Sequence, residues 1–354
     1  MPDIAPFLKS LLSVAGVSGE EAPVADLIAQ RWHTLVDEVR LSRVGSLHGW
    51  KRGTGTSPRP AVMIAAHMDG IGLCVSRIVD GFLHITKIGS VDRRVLPGAE
   101  VTVHATGSHK ELPAVVVMPP RRFLPESAGD GVPALEHFLV DTGLLPREVE
   151  RQIRVGDLVS FANESVELAG GVIAGHTVDN RASIAALTLC LEELQKKSHV
   201  WDVWAVATVQ EEVSYLGAQS SAFELRPQIA IVLDTTYGRG PGADGWQTFP
   251  MGKGVGLCIG PNMHPFLHKQ LKELADRLAI PWFLDVTPVD SWTDASAIQL
   301  TAEGIPTALV EVAIRYMHMP VESVAVKDIE HVGHLLAEFI VLLEADFVDT
   351  IVWE

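Results

Sequence analysis

The 354-residue sequence predicts an α/β protein with a mostly parallel, doubly wound sheet and a small inserted β-rich domain. A continuously apolar run at 61–66 and a mainly apolar segment at 201–209 are typical of strands buried on both faces of such a sheet. Segments with apolar residues at helical spacing alternate with these strands, as a doubly wound fold requires. Between residues 71 and 162 the pattern changes to short β-rich segments separated by turn residues. We therefore predict an α/β domain made of residues 1–70 and 163–354, with an inserted domain at 71–162.

Two helices, a β pair and a buried strand are predicted before the insert. Asp3 is a favourable N-cap for the first helix, and Ser18-Gly19-Glu20-Glu21 has the capping-box pattern for the second. The apolar residues at helical spacing are Phe7, Leu8, Leu11 and Leu12, then Val24, Leu27, Ile28 and Trp32. A β pair is predicted at 39–41 and 47–50, ahead of the buried strand at 61–66.

The insert reads as a small β barrel or sandwich. Its predicted β runs are 73–78, 82–85, 100–104, 114–117 and 157–161. Asp80-Gly81 is a hairpin signal between the first two runs. Short helical segments are predicted at 134–139 and at 146–150.

After the insert, strands and helices alternate to the end of the chain. The predicted strands are 201–209, 229–233, 255–259, 282–286 and 307–312, and the predicted helices are 179–198, 217–224, 264–278, 294–303 and 327–345.

Charge and cysteine content limit the classes of function. The chain has 28 Lys plus Arg against 44 Asp plus Glu, a formal net charge of -16. This charge would repel phosphate, so nucleic acid and anionic membranes are not expected partners. Cys74, Cys190 and Cys258 are far apart in sequence and form no metal or disulfide motif, which favours a reducing cytoplasm. No run of about eighteen apolar residues predicts a membrane span.

Polar residues of metal-binding type follow several of the buried strands. They are His67, Glu211 with Glu212, Asp234 and His318, while Asp179 opens a helix. Because parallel strands point the same way, we expect these side chains to converge at one edge of the sheet. Two imidazoles and several carboxylates suit a pair of zinc, cobalt or manganese ions with one bridging carboxylate, and leave one acid free as a base. Asp69 can accept the second ring N–H of His67 and so fix its tautomer.

Each of these residues has an ordinary structural explanation when taken alone. A histidine at a strand end is more often a hydrogen-bonded structural residue, Asp179 fits an N-cap, and Asp234 before two threonines fits turn chemistry. Only their shared position at strand ends favours the metal-site interpretation.

Six ordered motifs resemble the tetrahedral (TET) glutamyl or deblocking aminopeptidases, a family of dinuclear metallopeptidases. The motifs are Ala66-His67-Met68-Asp69, Val178-Asp179-Asn180-Arg181-Ala182, Thr208-Val209-Gln210-Glu211-Glu212, Ile231-Val232-Leu233-Asp234, Thr293-Asp294-Ala295 and Arg315-Tyr316-Met317-His318. The resemblance covers nearly the whole chain. It implies a phosphorylase/hydrolase-like catalytic domain of the zinc-peptidase type, with a PDZ-like β-barrel insert that serves dimerisation.

The resemblance also implies a role for each site residue. Asp179 would bridge two divalent ions, zinc or cobalt above all and manganese as a further option. One ion would be completed by His67 and Asp234, and the other by Glu212 and His318. Glu211 would be the general base that deprotonates a metal-activated water, and Asp69 would orient His67. Peptides with a free N-terminus would be the substrates, and dimers would assemble into a cytoplasmic dodecamer.

The sequence departs from the family pattern at a few positions around these motifs. Gly70 stands where relatives usually have Glu, and Met319 where they have Ser or Thr. Ser291-Trp292 precedes the Thr-Asp-Ala motif, and the insert has Pro119-Pro120-Arg121-Arg122 where a His is common. These changes keep every implied ligand but leave side-chain preference and the assembly contacts open.

Three alternatives are compatible with parts of the pattern. A related metallo-dipeptidase or carboxypeptidase is disfavoured because its lid is inserted later in the chain. A non-catalytic oligomeric scaffold would have no need of Glu211. An endoglucanase, a label sometimes given to such sequences, needs two carboxylates and would leave His67 and His318 without a role.

Overall fold

The computed structural model describes residues 3–126 and 131–353, and it divides them between a large sheet covered by helices and a closed barrel. The elements before the barrel are α1 (Ala5–Leu12), α2 (Ala22–Trp32), β1 (Glu38–Leu41), β2 (Leu47–Lys51) and β3 (Ala61–His67). The barrel region contains β4 (Gly72–Val79), β5 (Phe82–Ile88), β6 (Glu100–Ala105), β7 (Lys110–Val117), β8 (Leu139–Asp141), α3 (Pro146–Gln152) and β9 (Leu158–Phe161).

The rest of the chain completes the large sheet and its helices. In order these elements are β10 (Val166–Leu168), β11 (Val172–Gly175), α4 (Val178–Leu194), β12 (Asp202–Thr208), α5 (Leu216–Leu225), β13 (Ile229–Tyr237), β14 (Val255–Ile259), α6 (Pro265–Arg277), β15 (Trp282–Val286), α7 (Asp294–Ile298), β16 (Thr307–Arg315), β17 (Glu322–Ala325) and α8 (Val326–Val341). None of the helices in the described ranges has the length and apolar character needed to cross a membrane.

The predicted α/β class is confirmed, but only the four central strands and the β14–β15 pair are parallel. Its strand order is β1-β2-β12-β3-β13-β16-β17-β11-β10, and β14 and β15 branch from β16. The neighbours β12, β3, β13 and β16 are parallel, whereas β1-β2, β2-β12, β16-β17, β17-β11 and β10-β11 are antiparallel. "Mostly parallel" is therefore wrong for the sheet as a whole. The flanks include short hairpins, and a short connection can join only antiparallel strands.

The central strands are buried on both faces, as their continuous apolar runs predict. In β3, Val62 and Ile64 pack into the core that contains α1, α2, α4, α6 and α8, whereas Met63 and Ala65 pack into the core beneath α5 and α7. Successive side chains of a strand point to opposite faces, so one apolar run contributes to two helical layers.

The insert forms a closed barrel rather than a sandwich, with strand order β4-β5-β8-β7-β6-β9 and antiparallel pairs throughout. Its own core includes Leu73, Val103, Phe138 and Val159. The Asp80-Gly81 turn joins β4 to β5, and both residues have positive φ, as the hairpin signal predicts. The barrel strands run from Gly72 to Phe161, while the domain limits of 71–162 remain a prediction.

Several local predictions were wrong. The helical segment predicted at 134–139 is a single 3₁₀ turn at 135–137 followed by β8, and strands β10, β11 and β17 were not predicted. The helix predicted at 294–303 ends at Ile298, after which residues up to Gly304 form turns. Ser18 does not cap α2. Its hydroxyl donates to Asp69 instead, at 2.6 Å, and α2 begins only at Ala22. The N-cap of α1 is Ile4, and Asp3 accepts a hydrogen bond from the N–H of Ala5.

Candidate metal centre

The predicted ligands converge at the carboxyl edge of the four parallel strands. His67 is the last residue of β3, Asp234 lies within β13, and Glu212 follows β12 after a short turn. His318 follows β16, and Asp179 lies at the start of α4. This is the position at which α/β sheets form their ligand sites.

The five side chains form two groups that share Asp179. In the first group, Nε2 of His67 lies 3.4 Å from Oδ1 of Asp179 and 3.7 Å from Oδ1 of Asp234. In the second, Nε2 of His318 lies 3.4 Å from Oδ2 of Asp179 and 3.5 Å from Oε2 of Glu212. The donor atoms of each group lie within 4.8 Å of one another, the spacing of a group that could hold a metal ion.

These separations fit the chemistry of a tetrahedral ion better than that of hydrogen bonds. Two ligands that are each about 2.1 Å from a tetrahedral ion lie about 3.4 Å apart. Asp179 is buried, with only 6% of its surface exposed. Its Oδ1 nevertheless has no hydrogen-bond donor among the described residues. An unpaired buried carboxylate oxygen is costly unless a cation or a proton satisfies it. The residues present therefore fit a pair of divalent ions.

Glu211 stands beside the first group but belongs to neither. Its Oε2 is 3.8 Å from Nε2 of His67, and the residue is 9% exposed. Gln210, immediately before it, has a left-handed backbone with φ of 59°. Glu211 and Glu212 therefore occupy different places around the site although they are adjacent in sequence.

Asp69 holds together the segments that carry these residues. Its carboxylate accepts hydrogen bonds from the hydroxyl of Ser18 (2.6 Å) and from the backbone N–H groups of Glu211 (3.1 Å) and Glu212 (3.3 Å). Nδ1 of His67 lies 3.4 Å from its Oδ1 and 3.2 Å from its backbone carbonyl oxygen. Asp69 thus faces the ring nitrogen expected from the sequence, although its carbonyl is the nearer acceptor.

Glu322 has a similar role on the other side of the site, and sequence reasoning missed it. It is 1% exposed, its Oε2 accepts the N–H of Asp179 at 2.9 Å, and its Oε1 accepts the N–H of His318 at 2.7 Å. The only sequence signal is a lone acid at the start of a short apolar segment, four residues after His318. Beside it, Nδ2 of Asn180 donates to the carbonyl of Leu233 at 2.8 Å and ties the start of α4 to β13.

Burial and mutual repulsion shift the pKa values of the clustered acids. Burial, followed by the charge of Asp179, raises the pKa of Glu212 to about 8. Burial also raises the pKa of Glu211 well above its usual value, with added repulsion from Asp234 and against the attraction of His67. The pKa of Asp179 is lowered in spite of burial, because His318 and His67 both face its carboxylate. Such a cluster repels itself unless cations are present.

Asp294 is a further buried acid near the site. Its Oδ2 accepts the hydroxyl of Thr208 at 2.5 Å, where β12 ends, and its Oδ1 has no partner among the described residues. Burial raises its pKa to about 7 against the attraction of His67. Asp294 belongs to the Thr293-Asp294-Ala295 motif, and the sequence alone predicts no role for it.

The five ligand residues and Glu211 line a pocket of about 630 Å³. Among its described lining residues there is no lysine or arginine, and the exposed rings of Trp246 and Trp292 lie at its edge. A larger cavity of about 800 Å³ is lined by residues of the α1–α2 segment and of the barrel, and contains neither group of ligands. A third group of ligand type, Glu193, His334 and Glu338, lies between α4 and α8, where Lys197 already pairs with Glu338.

Comparison with known proteins agrees with the fold and identifies the family. Residues 45–335 match the model of the M42 glutamyl aminopeptidase family. The chain is 30% identical over 329 residues to the lysyl aminopeptidase of Pyrococcus furiosus, over 92% of this chain and 93% of the relative. An aminopeptidase structure from the archaeon Desulfurococcus kamchatkensis has a TM-score of 0.91 at 33% identity, covering 98% of this chain and 97% of that one. The TET1 peptidase of Pyrococcus horikoshii, described as assembling into a tetrahedron or a large octahedral shell, has a TM-score of 0.83 at 25% identity, covering 96% and 100%.

The fold and these matches together define a peptide hydrolase that acts at the N-terminus of its substrates. The chain belongs to the M42 glutamyl aminopeptidase family. The resemblance drawn from the six sequence motifs is thereby confirmed.

The first prediction concerns the structural role of Glu322. Glutamine has one acceptor oxygen in place of two, so Glu322→Gln would leave the N–H of Asp179 or of His318 facing an amide NH₂. We expect the free energy of unfolding, measured by urea denaturation, to fall by about 1–3 kcal/mol. Glu303→Gln is the matched control: its side chain is 84% exposed and, among the described residues, pairs only with the exposed Arg226, so the transition should change little. Equal stability of both variants would contradict the role assigned to Glu322.

Proposed function

We propose that the chain is a dinuclear metal aminopeptidase that removes N-terminal residues from peptides. The observation that carries this proposal is the position of Asp179, whose two carboxylate oxygens each face a different histidine. Asp179 would bind both ions, His67 and Asp234 would complete one site, and Glu212 and His318 the other. Zinc or cobalt suits the mixture of imidazole and carboxylate ligands best, and manganese is compatible with it.

The reaction would be hydrolysis of the first peptide bond. When bound, the two ions would supply Lewis-acid chemistry, polarising the carbonyl and lowering the pKa of a water molecule. Glu211 would accept the proton of the attacking water as the new C–O bond forms. It would then donate that proton to the leaving nitrogen as the C–N bond breaks, so that the carboxylate is regenerated. Glu211 suits this role because it lies at the site without belonging to either ligand group.

Preference for a free N-terminus would follow from the charge of the pocket. Its described lining contains seven acidic residues and no lysine or arginine: Asp179, Glu211, Glu212, Asp234, Asp285, Asp290 and Glu311. This charge attracts the α-ammonium group of a peptide and disfavours a peptide whose C-terminal carboxylate enters first.

We extend the proposal to assembly and location. Residues 1–70 and 163–354 would be the catalytic domain and residues 71–162 a dimerisation domain, with dimers combining into a dodecamer as in TET-type relatives. The tetrahedral assembly described for the TET1 peptidase supports this. Cys74, Cys190 and Cys258 are all free, which is consistent with the cytoplasm. The net charge of -16 disfavours nucleic acid and anionic membranes as partners.

A substrate pair tests the aminopeptidase function. The metal-loaded enzyme should cleave a short peptide that has a free N-terminus and leave its N-acetylated twin intact, as measured by chromatography of the products. Acetylation replaces the charged α-ammonium group with a neutral acetamide and leaves the scissile bond itself unchanged. Equal cleavage of both peptides would overturn the proposal in favour of an endopeptidase or a carboxypeptidase.

Metal content tests the assignment of ligands. We expect two divalent ions per chain in the wild type by elemental mass spectrometry after dialysis, and a loss of one ion in His67→Ala and in His318→Ala. Asp179→Ala should lose both, because it removes the shared ligand. His33→Ala, at an exposed position away from the site, should retain two ions. A His67→Ala or His318→Ala protein that keeps both ions would contradict the assignment.

Substitution of Glu211 tests the base. Glu211→Gln keeps the size of the side chain but cannot take up the proton, so we expect kcat to fall about a hundred- to ten-thousandfold. Metal content, the circular dichroism spectrum and KM should change little. Retention of wild-type kcat would remove Glu211 from the mechanism.

A further inference from the structure

Two buried acids in the pocket have no part in the proposed hydrolysis. Glu311 lies in β16 directly beside Asp234 of β13 in the parallel register, so both side chains leave the sheet on the same face. Asp285 lies in β15, two strands away from β16. Glu311 is 5% exposed and Asp285 is 8% exposed, and both line the pocket.

The two carboxyl groups meet across the intervening strand β14. Gly256 of β14 is opposite Glu311, and a Cβ at this glycine would lie 2.8 Å from the Cβ of Glu311. A larger residue there would displace Glu311, so glycine permits the approach. The Asp285 and Glu311 side chains interact, and Asp285 also accepts the hydroxyl of Thr236 at 2.9 Å.

Glu311 is incompletely satisfied. Its Oε2 is buried and has no hydrogen-bond partner among the described residues, and Glu311 is one of the residues that line the pocket. Burial, and then the charges of Asp285 and Asp234, raise the pKa of Glu311 well above its usual value. A buried acceptor of this kind requires a donor, and a cationic donor is the most favourable one.

The acids that line the pocket outnumber the positive charges that two divalent ions would bring. Four acids, Asp179, Glu211, Glu212 and Asp234, would be balanced by two divalent ions. Asp285, Asp290 and Glu311 are left over, and of these only Asp285 and Glu311 are buried. The described lining of the pocket contains no lysine or arginine to neutralise them. The substrate is then the remaining source of positive charge.

We propose that Asp285 and Glu311 form the floor of a subsite for the first residue of the peptide, and that they select a positively charged side chain. The enzyme would therefore remove lysine or arginine in preference to neutral residues, and would reject glutamate, whose carboxylate is repelled by the pair. This inference rests on the proposed aminopeptidase function, since it names the substrate class of the same pocket.

Lysyl and norleucyl p-nitroanilides make a direct test with the wild-type, metal-loaded enzyme. The two substrates share the α-amino group and the aliphatic chain, so only the side-chain ammonium differs. We expect kcat/KM to be roughly ten- to a hundredfold higher for the lysyl substrate, with the glutamyl substrate slowest. Equal or faster cleavage of the norleucyl substrate would overturn the inference.

Two variants locate the selectivity in the acid pair. Glu311→Gln and Asp285→Asn should each lower the lysyl-to-norleucyl ratio of kcat/KM at least about fivefold, mainly through KM for the lysyl substrate. Glu273→Gln on α6, which removes the same charge outside the pocket, is the matched control and should keep the wild-type ratio. If a folded, metal-loaded form of either pocket variant kept the full ratio, that residue would not belong to the subsite.

Failure of the inference can be told apart from failure of the proposed function. Cleavage of norleucyl substrate with no advantage for lysyl substrate would refute the cation subsite and leave the aminopeptidase intact. No cleavage of any free-amine substrate by the metal-loaded enzyme would refute both.

Discussion

The site depends on one arrangement, the carboxylate of Asp179 held between two imidazoles. His67 comes from β3 and His318 from the loop after β16, so the arrangement exists only when strands distant in sequence are adjacent in the sheet. The surrounding acids repel one another at a buried edge, where charges are weakly screened. The fold therefore has to hold these acids in place against their mutual repulsion, which bound cations would offset.

Buried carboxylates that bind backbone supply much of this restraint. Gln210 and His318 both have left-handed backbones, with φ of 59° and 62°, a conformation that costs non-glycine residues energy. Asp69 accepts the two N–H groups that follow Gln210, and Glu322 accepts the N–H of His318. These two acids stabilise turns that would otherwise relax, so the metal-facing side chains keep their directions. The Ser18 hydroxyl donates to Asp69 in the same network and therefore does not cap α2.

Features that depend on the local residue pattern could be predicted from the sequence. Residues whose role depends on contacts with distant parts of the chain could not. The central strands were predictable because each is mainly apolar, and the convergence of the candidate ligands was predictable because most of them lie at or near the carboxyl ends of parallel strands. Strand β10 was missed because all of Val166–Leu168 is exposed and has no apolar run. Glu322 and Glu311 were missed because a single acid in an apolar strand is informative only once its neighbours are known. No property of Glu311 in the sequence indicates Asp285, which reaches it across Gly256.

The sheet that carries the proposed metal ligands also fixes how far from them the proposed selectivity acids, Asp285 and Glu311, lie. Asp234 and Glu311 are register partners on adjacent strands, and adjacent strands are about 4.8 Å apart. A cation bound at Glu311 would thus lie about one strand spacing from a metal ligand, a distance that an aliphatic side chain of a few methylenes can cover. Loops can change their length in evolution without altering this distance, because it is set by backbone hydrogen bonds of the core. Selectivity for a long cationic residue would therefore be built into the sheet, while the exposed rim around Trp246 and Trp292 is free to vary.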